Sequence, residues 1–119
     1  METITGAFVR RSLPRRDPEG HKGTFGKVLC VCGSVGYTGA PIFAGRGAVR
    51  TGSGLVFLAV PESVWPVAAV KSDEAMPFPV PEAEGRLSLL AEEPIRRRAE
   101  SCDAVLIGCG LGRGWQTDA

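Results

Sequence analysis

The chain has 119 residues, which is enough for one compact domain and too few for two. Apolar residues make up 44% and charged residues 23%, a balance that excludes a disordered chain. The formal net charge of +1 gives no overall attraction to nucleic acid or to a membrane surface, and no apolar run approaches the roughly 18 residues of a membrane-spanning helix.

The first third of the chain predicts an irregular leader followed by a buried strand. We expect one short helix near residues 4–12 and no regular element after it, because Pro14 and Pro18 interrupt the segment. Residues 27–33, KVLCVCG, form a continuous apolar run that ends in glycine. Such runs are typical of strands that are buried on both faces of a parallel sheet.

The next segment completes a strand–helix–strand unit. Residues 40–52 predict a helix with Pro41 near its first turn, where a missing N–H is tolerated. Gly45 and Gly47 inside this helix each cost about 1 kcal/mol relative to alanine, so we expect backbone or ligand to approach closely there. Residues 55–61, LVFLAVP, predict a second buried strand, parallel to the first.

The second half of the chain is less regular. We predict a short helix over 63–70, and an extended segment over 76–81 because alternating prolines exclude a helix. A further helix is expected over 92–101, followed by an apolar strand at 104–108.

Two of the predicted strands end in glycine-rich loops. Gly33, Gly36 and Gly39 follow the first strand, and Gly108 and Gly110 begin the loop after the last one. The carboxyl ends of parallel strands meet at one edge of a sheet, where ligands of open α/β sheets bind, so we expect both loops at that edge. The glycine spacing matches neither the dinucleotide-binding turn nor the phosphate-binding P-loop. A ligand-binding loop and a purely structural turn therefore both remain open.

The cysteines and the N-terminus indicate a reducing compartment. Cys30 and Cys32 are one residue apart in an apolar run, so we predict that both point to one face of a strand and stay reduced. The single histidine, His21, has no second ligand beside it, and we predict no metal site. No secretory signal is recognisable at the N-terminus. We therefore expect a cytoplasmic protein without nucleic-acid or membrane partners.

Four segments together resemble one family, the NAD(P)H-hydrate dehydratases, which repair damaged coenzyme and have a ribokinase-like fold. The segments are LPRRDPEGHKGTFGKVL (13–29), GSVGYTGAP (33–41), GAVRTGSGLVFLAVPE (47–62) and DAVLIGCGLGR (103–113). The resemblance implies a three-layer α/β/α architecture with a mostly parallel sheet. It identifies residues 1–119 as the N-terminal portion of a single dehydratase domain of carbohydrate-kinase type, so the fold is expected to be truncated.

The resemblance also implies an activity, that of a hydro-lyase. Members of the family convert hydrated NADH and NADPH back to the intact coenzymes, coupled to hydrolysis of ADP or ATP in the presence of Mg²⁺. Phosphorylation of the ring hydroxyl would turn a poor leaving group into a good one. Homo-oligomers, often tetramers, are common in the family.

The resemblance places the substrate at particular residues of this chain. Ala40 and Gly110 correspond to positions that contact the hydrated dinucleotide, and the adjoining Gly39 and Thr38 belong to the same motif. The alternative for Ala40 is helix packing, and for Gly110 a left-handed turn. His21 is expected to make local hydrogen bonds. Lys22 is expected to be either solvated or close to a phosphate, and Tyr37 to bind either ligand or turn backbone.

The chain departs from the family in one loop residue and in length. Cys109 stands where the family usually has proline, which predicts a looser loop and an exposed thiol. The family's catalytic aspartate, in a Gly-Thr-Gly-Asp motif, has no counterpart in residues 1–119. We therefore expect no catalytic residue here, a chain that is inactive alone, and a sheet with an exposed apolar edge. Two alternatives stay open: a nucleotide- or dinucleotide-binding module without chemistry, and a structural fragment that docks on another chain.

Overall fold

The computed structural model describes residues 3–119, which form six strands and five helices. The strands are β1 (Lys27–Val31), β2 (Leu55–Pro61), β3 (Met76–Val80), β4 (Glu82–Ala83), β5 (Arg86–Leu87) and β6 (Ala104–Ile107). The helices are α1 (Gly6–Ser12), α2 (Gly39–Arg50), α3 (Trp65–Lys71), α4 (Glu92–Ala99) and α5 (Trp115–Asp118). A 3₁₀ turn, Leu89–Ala91, precedes α4.

Four of the strands form one parallel sheet in the order β3–β2–β1–β6. Lys27 pairs with Leu55 at the start of β1 and β2, and Val28 pairs with Ala104 at the start of β6. The predicted strand–helix–strand unit is confirmed, and so is the parallel last strand. The strands β4 and β5 make a separate antiparallel hairpin, which is not evident from the sequence because each has only two residues.

Helices cover both faces of the sheet, so the predicted three-layer α/β/α architecture is confirmed. Residues of α2 and α3 pack on one face, against alternate side chains of β1 and β2, among them Cys30, and against Cys32, which follows β1. The 3₁₀ turn and α4 cover the other face, against Leu29 and Val31. Alternation along a strand sends successive side chains to opposite faces, which explains why these strands are apolar throughout.

The two glycines inside α2, Gly45 and Gly47, differ in how much space surrounds them. Gly45 is buried, and a Cβ there would lie 3.2 Å from the Leu58 side chain on β2, so the helix and the sheet approach closely at this point. The expected close approach is confirmed for Gly45. At Gly47 an added Cβ would meet nothing within 4 Å, so that glycine has no packing reason.

The proline-rich segment lies at an edge of the sheet. Pro77 and Pro79 are within β3, which pairs with β2 alone among the strands of the described part. Proline has no N–H to donate, so a strand with alternate prolines suits an edge position. The prediction of an extended segment over 76–81 is confirmed. That this segment pairs with β2 as a strand of the sheet could not be predicted from the sequence.

Candidate functional site

The loops that follow β1 and β6 lie side by side at the carboxyl ends of these neighbouring strands. The N–H of Gly33 donates to the C=O of Cys109 at 3.0 Å. The buried hydroxyl of Ser34 donates to the C=O of Gly110 at 2.7 Å. The prediction that both glycine loops share one edge of the sheet is therefore confirmed.

Gly110 packs directly on Ala40 and Tyr37. A Cβ added at Gly110 would lie 2.9 Å from the Cβ of Ala40 and 2.8 Å from the Cβ of Tyr37, closer than side-chain carbons approach. Gly110 also has a φ of 75°, in the left-handed region that favours glycine. The alternative for Gly110, a left-handed turn, is therefore confirmed, and the methyl group of Ala40 packs against the second loop.

Several backbone groups near this contact remain free. Thr38 precedes α2 without a hydrogen bond from its side chain to the helix, and Ala40 donates its N–H to Tyr37 at 3.1 Å. Among residues 3–119, the N–H groups of Thr38, Gly39 and Gly110 have no acceptor. Free amides at the start of a helix carry partial positive charge, so they suit a polar or anionic ligand.

The other glycines of the first loop have structural reasons. Gly33 has a φ of 86°, and an added Cβ would lie 2.8 Å from Cδ of Pro41. Gly36 has a φ of 91° but open space around it, so the backbone conformation alone favours glycine there. The structural-turn alternative therefore accounts for Gly33 and Gly36.

The β4–β5 hairpin forms a third side of the site, which the sequence did not predict. The N–H of Val35 donates to the C=O of Gly85 at 2.8 Å, and Arg86 lies beside Gly112. Glu84 and Gly85 both have positive φ, of 52° and 74°, as a tight hairpin turn requires. The sequence does contain a signal for this turn, which is the adjacent glutamate and glycine between two short strands.

Three thiols lie close together beneath the second loop. Burial, together with smaller effects of the neighbouring Cys30 and Cys109, raises the pKa of Cys32 to about 12. Burial, and then Cys109, also raise the pKa of Cys30. Both are fully buried on one face of the sheet as free thiols, as predicted, whereas the thiol of Cys109 is exposed. Cys109 has a φ of 57°, which a proline ring excludes.

The segment with His21 and Lys22 lies at the opposite end of the sheet. Nδ1 of the His21 ring accepts a hydrogen bond from the Gly23 N–H at 3.1 Å, and the backbone N–H of His21 donates to the Thr24 hydroxyl. A side chain at Gly54, just before β2, would collide with the carbonyl of Lys22. The local structural role of His21 is confirmed. Lys22 is exposed at the amino ends of the strands, away from the glycine loops.

Neither a metal-ligand cluster nor a membrane-spanning helix occurs within residues 3–119. Over this range, no three or more His, Cys, Asp or Glu side chains lie together in an arrangement that holds a metal ion. Over the same residues, no helix combines the length and the apolar character needed to cross a bilayer.

Comparisons of the sequence with a family model and with known proteins point to the same family. A family model described as NAD(P)H-hydrate dehydratase matches residues 28–119. The bifunctional NAD(P)H-hydrate repair enzyme Nnr of Moorella thermoacetica is 44% identical over 111 residues, which are 92% of this chain and 21% of that protein.

Solved structures show the same fold. A ribokinase-like superfamily protein of Enterococcus faecalis has a TM-score of 0.76 at 21% identity, over 96% of this chain and 37% of its own. The ADP/ATP-dependent NAD(P)H-hydrate dehydratase of Bacillus subtilis, co-crystallised with ATP and Mg²⁺, has a TM-score of 0.60 at 28% identity. That comparison covers 90% of this chain and 45% of the other. The chain thus spans about a fifth of the Moorella relative and under half of these two structures.

Proposed function

Because the chain belongs to the NAD(P)H-hydrate dehydratase family, we propose that it forms the N-terminal portion of a dehydratase domain and binds NADH hydrate or NADPH hydrate. The observation that supports this most directly is the contact between the two glycine loops. They lie together at the carboxyl ends of β1 and β6, where ligands of open α/β sheets bind.

The proposed binding residues are Thr38, Gly39, Ala40 and Gly110. The free N–H groups of Thr38, Gly39 and Gly110 offer hydrogen bonds to phosphate or amide oxygens of the dinucleotide. Ala40 keeps this backbone accessible because its side chain is a single methyl group. Gly110 already touches Ala40, so the ligand lies across the two loops rather than between them.

The proposed reaction is nucleotide-dependent removal of water from the hydrated nicotinamide ring. The phosphoryl group of ATP, or of ADP, is transferred to the ring hydroxyl, and phosphate then leaves together with a ring proton to restore the double bond. We assign neither metal binding nor proton transfer to residues of this chain, because the aspartate motif that the resemblance makes catalytic has no counterpart in residues 1–119. Its proposed part in the reaction is to bind and orient the substrate. We further propose a cytoplasmic, homo-oligomeric protein.

Binding and turnover can be separated experimentally. Isothermal titration of the purified chain with NADH hydrate and with intact NADH measures binding. Incubation with NADH hydrate, Mg²⁺ and ADP or ATP, followed at the absorbance of reduced nicotinamide, measures turnover. We expect the hydrate to bind at least ten-fold more tightly than NADH, with no recovery of NADH by the chain alone.

Variants locate the site. Ala40→Leu places a large side chain over the free amides and should weaken hydrate binding at least ten-fold. Ala69→Leu makes the same change on the exposed side of α3 and should leave binding unchanged. Equal affinity for hydrate and NADH would indicate a dinucleotide-binding module instead, and turnover by the chain alone would contradict the assignment of catalysis to residues outside it.

A further inference from the structure

The segment 13–25 carries part of the resemblance to the family, but it takes no part in the contact between the glycine loops. It lies at the amino ends of the strands, whereas the glycine loops lie at the carboxyl ends. The N–H of Gly54, just before β2, donates to the C=O groups of Phe25 and Gly26 at 3.2 and 3.0 Å, which holds the segment against the start of β2. The proposed binding of hydrated coenzyme therefore does not explain what this segment does.

A cavity of about 520 Å³ lies between this segment and the turn that follows α2. Its volume is within the range of about 300 to 1,000 Å³ that is typical of small-molecule pockets. It combines apolar walls with hydrogen-bond donors, as such pockets do. The side chains that matter here are the apolar Leu13, Pro14 and Phe25 and the polar Arg15, Arg16 and Ser53.

The guanidinium group of Arg16 is held in place by packing. Its Cζ lies 4.4 Å from the centroid of the Phe25 ring, so the cation stacks on the ring. The ring in turn packs on Gly20, where an added Cβ would lie 2.5 Å from Cζ of Phe25. A Cβ at Gly52 would lie 3.2 Å from Nη1 of Arg16, so the turn after α2 borders the guanidinium as well. A guanidinium that is already ordered loses less entropy when a ligand binds to it.

The positive charges of this cavity are not paired. Within residues 3–119, neither Arg15 nor Arg16 forms an ion pair, and the ion pairs of this range use the arginines at 86, 96, 97 and 113. Asp17 also lines the cavity, but its Oδ1 accepts the N–H of Glu19 at 2.9 Å within its own turn. Arg15 and Arg16 border one cavity, so both can bond to the same anion.

We propose that this cavity, called the leader pocket and lined by residues 13–17, 24–25 and 51–53, binds a small phosphate monoester. A phosphate has three acceptor oxygens and up to two negative charges, so it can bond to both arginines and to the hydroxyl of Ser53 together. A carboxylate has two acceptor oxygens, which a single arginine satisfies. The sugar or nucleoside part of the ligand packs on Leu13 and Pro14.

Titration with three compounds tests the requirement for phosphate. AMP and ribose 5-phosphate both carry a phosphate monoester and differ in whether a base is attached, whereas adenosine has the base and the sugar without the phosphate. Isothermal titration of the purified chain measures each affinity. We expect AMP and ribose 5-phosphate to bind, and adenosine to bind at least ten-fold more weakly. The affinity for AMP should also fall as sodium chloride is added, because salt screens exposed charges.

Nuclear magnetic resonance separates the leader pocket from the glycine loops, which also suit an anion. AMP should shift the backbone amide signals of Phe25, Gly52 and Ser53. Binding at the proposed coenzyme site would instead shift those of Thr38 and Gly39. The two sets of residues lie at opposite ends of the sheet, so the result for the leader pocket does not depend on whether hydrated coenzyme binds. Shifts confined to Thr38 and Gly39 would overturn the proposal.

Variants that remove one positive charge test the two arginines. Arg15→Gln and Arg16→Gln should each weaken AMP binding at least ten-fold. Arg46→Gln removes an exposed charge of α2 outside the leader pocket and should leave the affinity unchanged. Circular dichroism checks folding, and Arg15→Gln decides if loss of the stacking on Phe25 unfolds Arg16→Gln. Failure of both phosphate compounds to bind, equal affinity for AMP and adenosine, or unchanged AMP affinity in the folded variants would each overturn the proposal.

Discussion

Gly110 and Ala40 meet at a distance that leaves no room for a side chain on the glycine. A Cβ at Gly110 would lie 2.9 Å from the Cβ of Ala40, although 70 positions separate the two in the chain. The contact joins the loop after β6 to the first turn of α2. The two loops therefore form one surface, and a change on either loop should alter the other.

Replacing Gly110 by alanine tests this contact. Gly110→Ala introduces both an unfavourable positive φ and a collision with Ala40 and Tyr37, so we expect it to lower the free energy of unfolding by about 3 kcal/mol. Urea denaturation measures the change.

Gly36→Ala is the matched control for that variant. Gly36 also has a positive φ, of 91°, but an added Cβ would meet nothing within 4 Å. The control should therefore cost about 1 kcal/mol, from backbone strain alone. Equal losses in the two variants would show that the contact between the loops contributes nothing.

The elements that could be predicted from the sequence are those that can be recognised from a few consecutive residues. The strands β1, β2 and β6 are continuous apolar runs followed or ended by glycine or proline. Such runs are typical of the strands of a parallel sheet and can be recognised without knowing which strands pair. The loop glycines are equally visible, because a positive φ restricts the residue type at its own position.

The parts that could not be predicted depend on residues that are distant in sequence. The bond from Val35 to Gly85 and the contact of Gly110 with Ala40 arise from the folding of the chain as a whole. The spacing of glycines says nothing about which loop meets which. The sequence likewise showed β3 to be extended, but its place at the edge follows from pairing with β2.

The hydroxyl of Ser34 should contribute to stability by holding the second loop. It is buried and donates to the C=O of Gly110 at 2.7 Å, so Ser34→Ala leaves that carbonyl without its partner. We expect a loss of about 1 to 2 kcal/mol in the free energy of unfolding. Ser101→Ala removes a similar but exposed bond to Arg98 and should cost less than about 0.5 kcal/mol. Similar losses for both variants would contradict a special role of Ser34.

Ionisation of Cys32 should make the protein less stable at high pH. Burial raises its pKa from the ordinary 9.0 to about 12 in the folded chain. Between these two values the unfolded chain releases the thiol proton more readily than the folded one, so stability falls as pH rises. The slope for one such group is about 1.4 kcal/mol per pH unit.

Urea denaturation at pH 8 and at pH 10 measures this dependence. Cys32→Ala removes the ionisable group, so its stability should fall less between the two pH values than that of the unchanged chain. Cys102→Ala removes a different free thiol, outside the pair Cys30 and Cys32, and should retain the dependence that comes from Cys32. Identical pH profiles for all three chains would show that the Cys32 thiol does not ionise differently in the two states.

Two glycine-to-alanine changes of the same size should have opposite effects on stability. At Gly54 a side chain would collide with the carbonyl of Lys22, which belongs to the turn that covers the amino ends of β1 and β2. Backbone cannot move aside as a flexible side chain can, so we expect Gly54→Ala to cost about 3 kcal/mol or more. At Gly47, on the exposed side of α2, alanine meets nothing and should stabilise the helix by about 0.5 to 1 kcal/mol. The midpoints of thermal and urea unfolding should therefore shift in opposite directions in the two variants. An unchanged stability of Gly54→Ala would mean that the turn containing His21 is not held against β2 in solution.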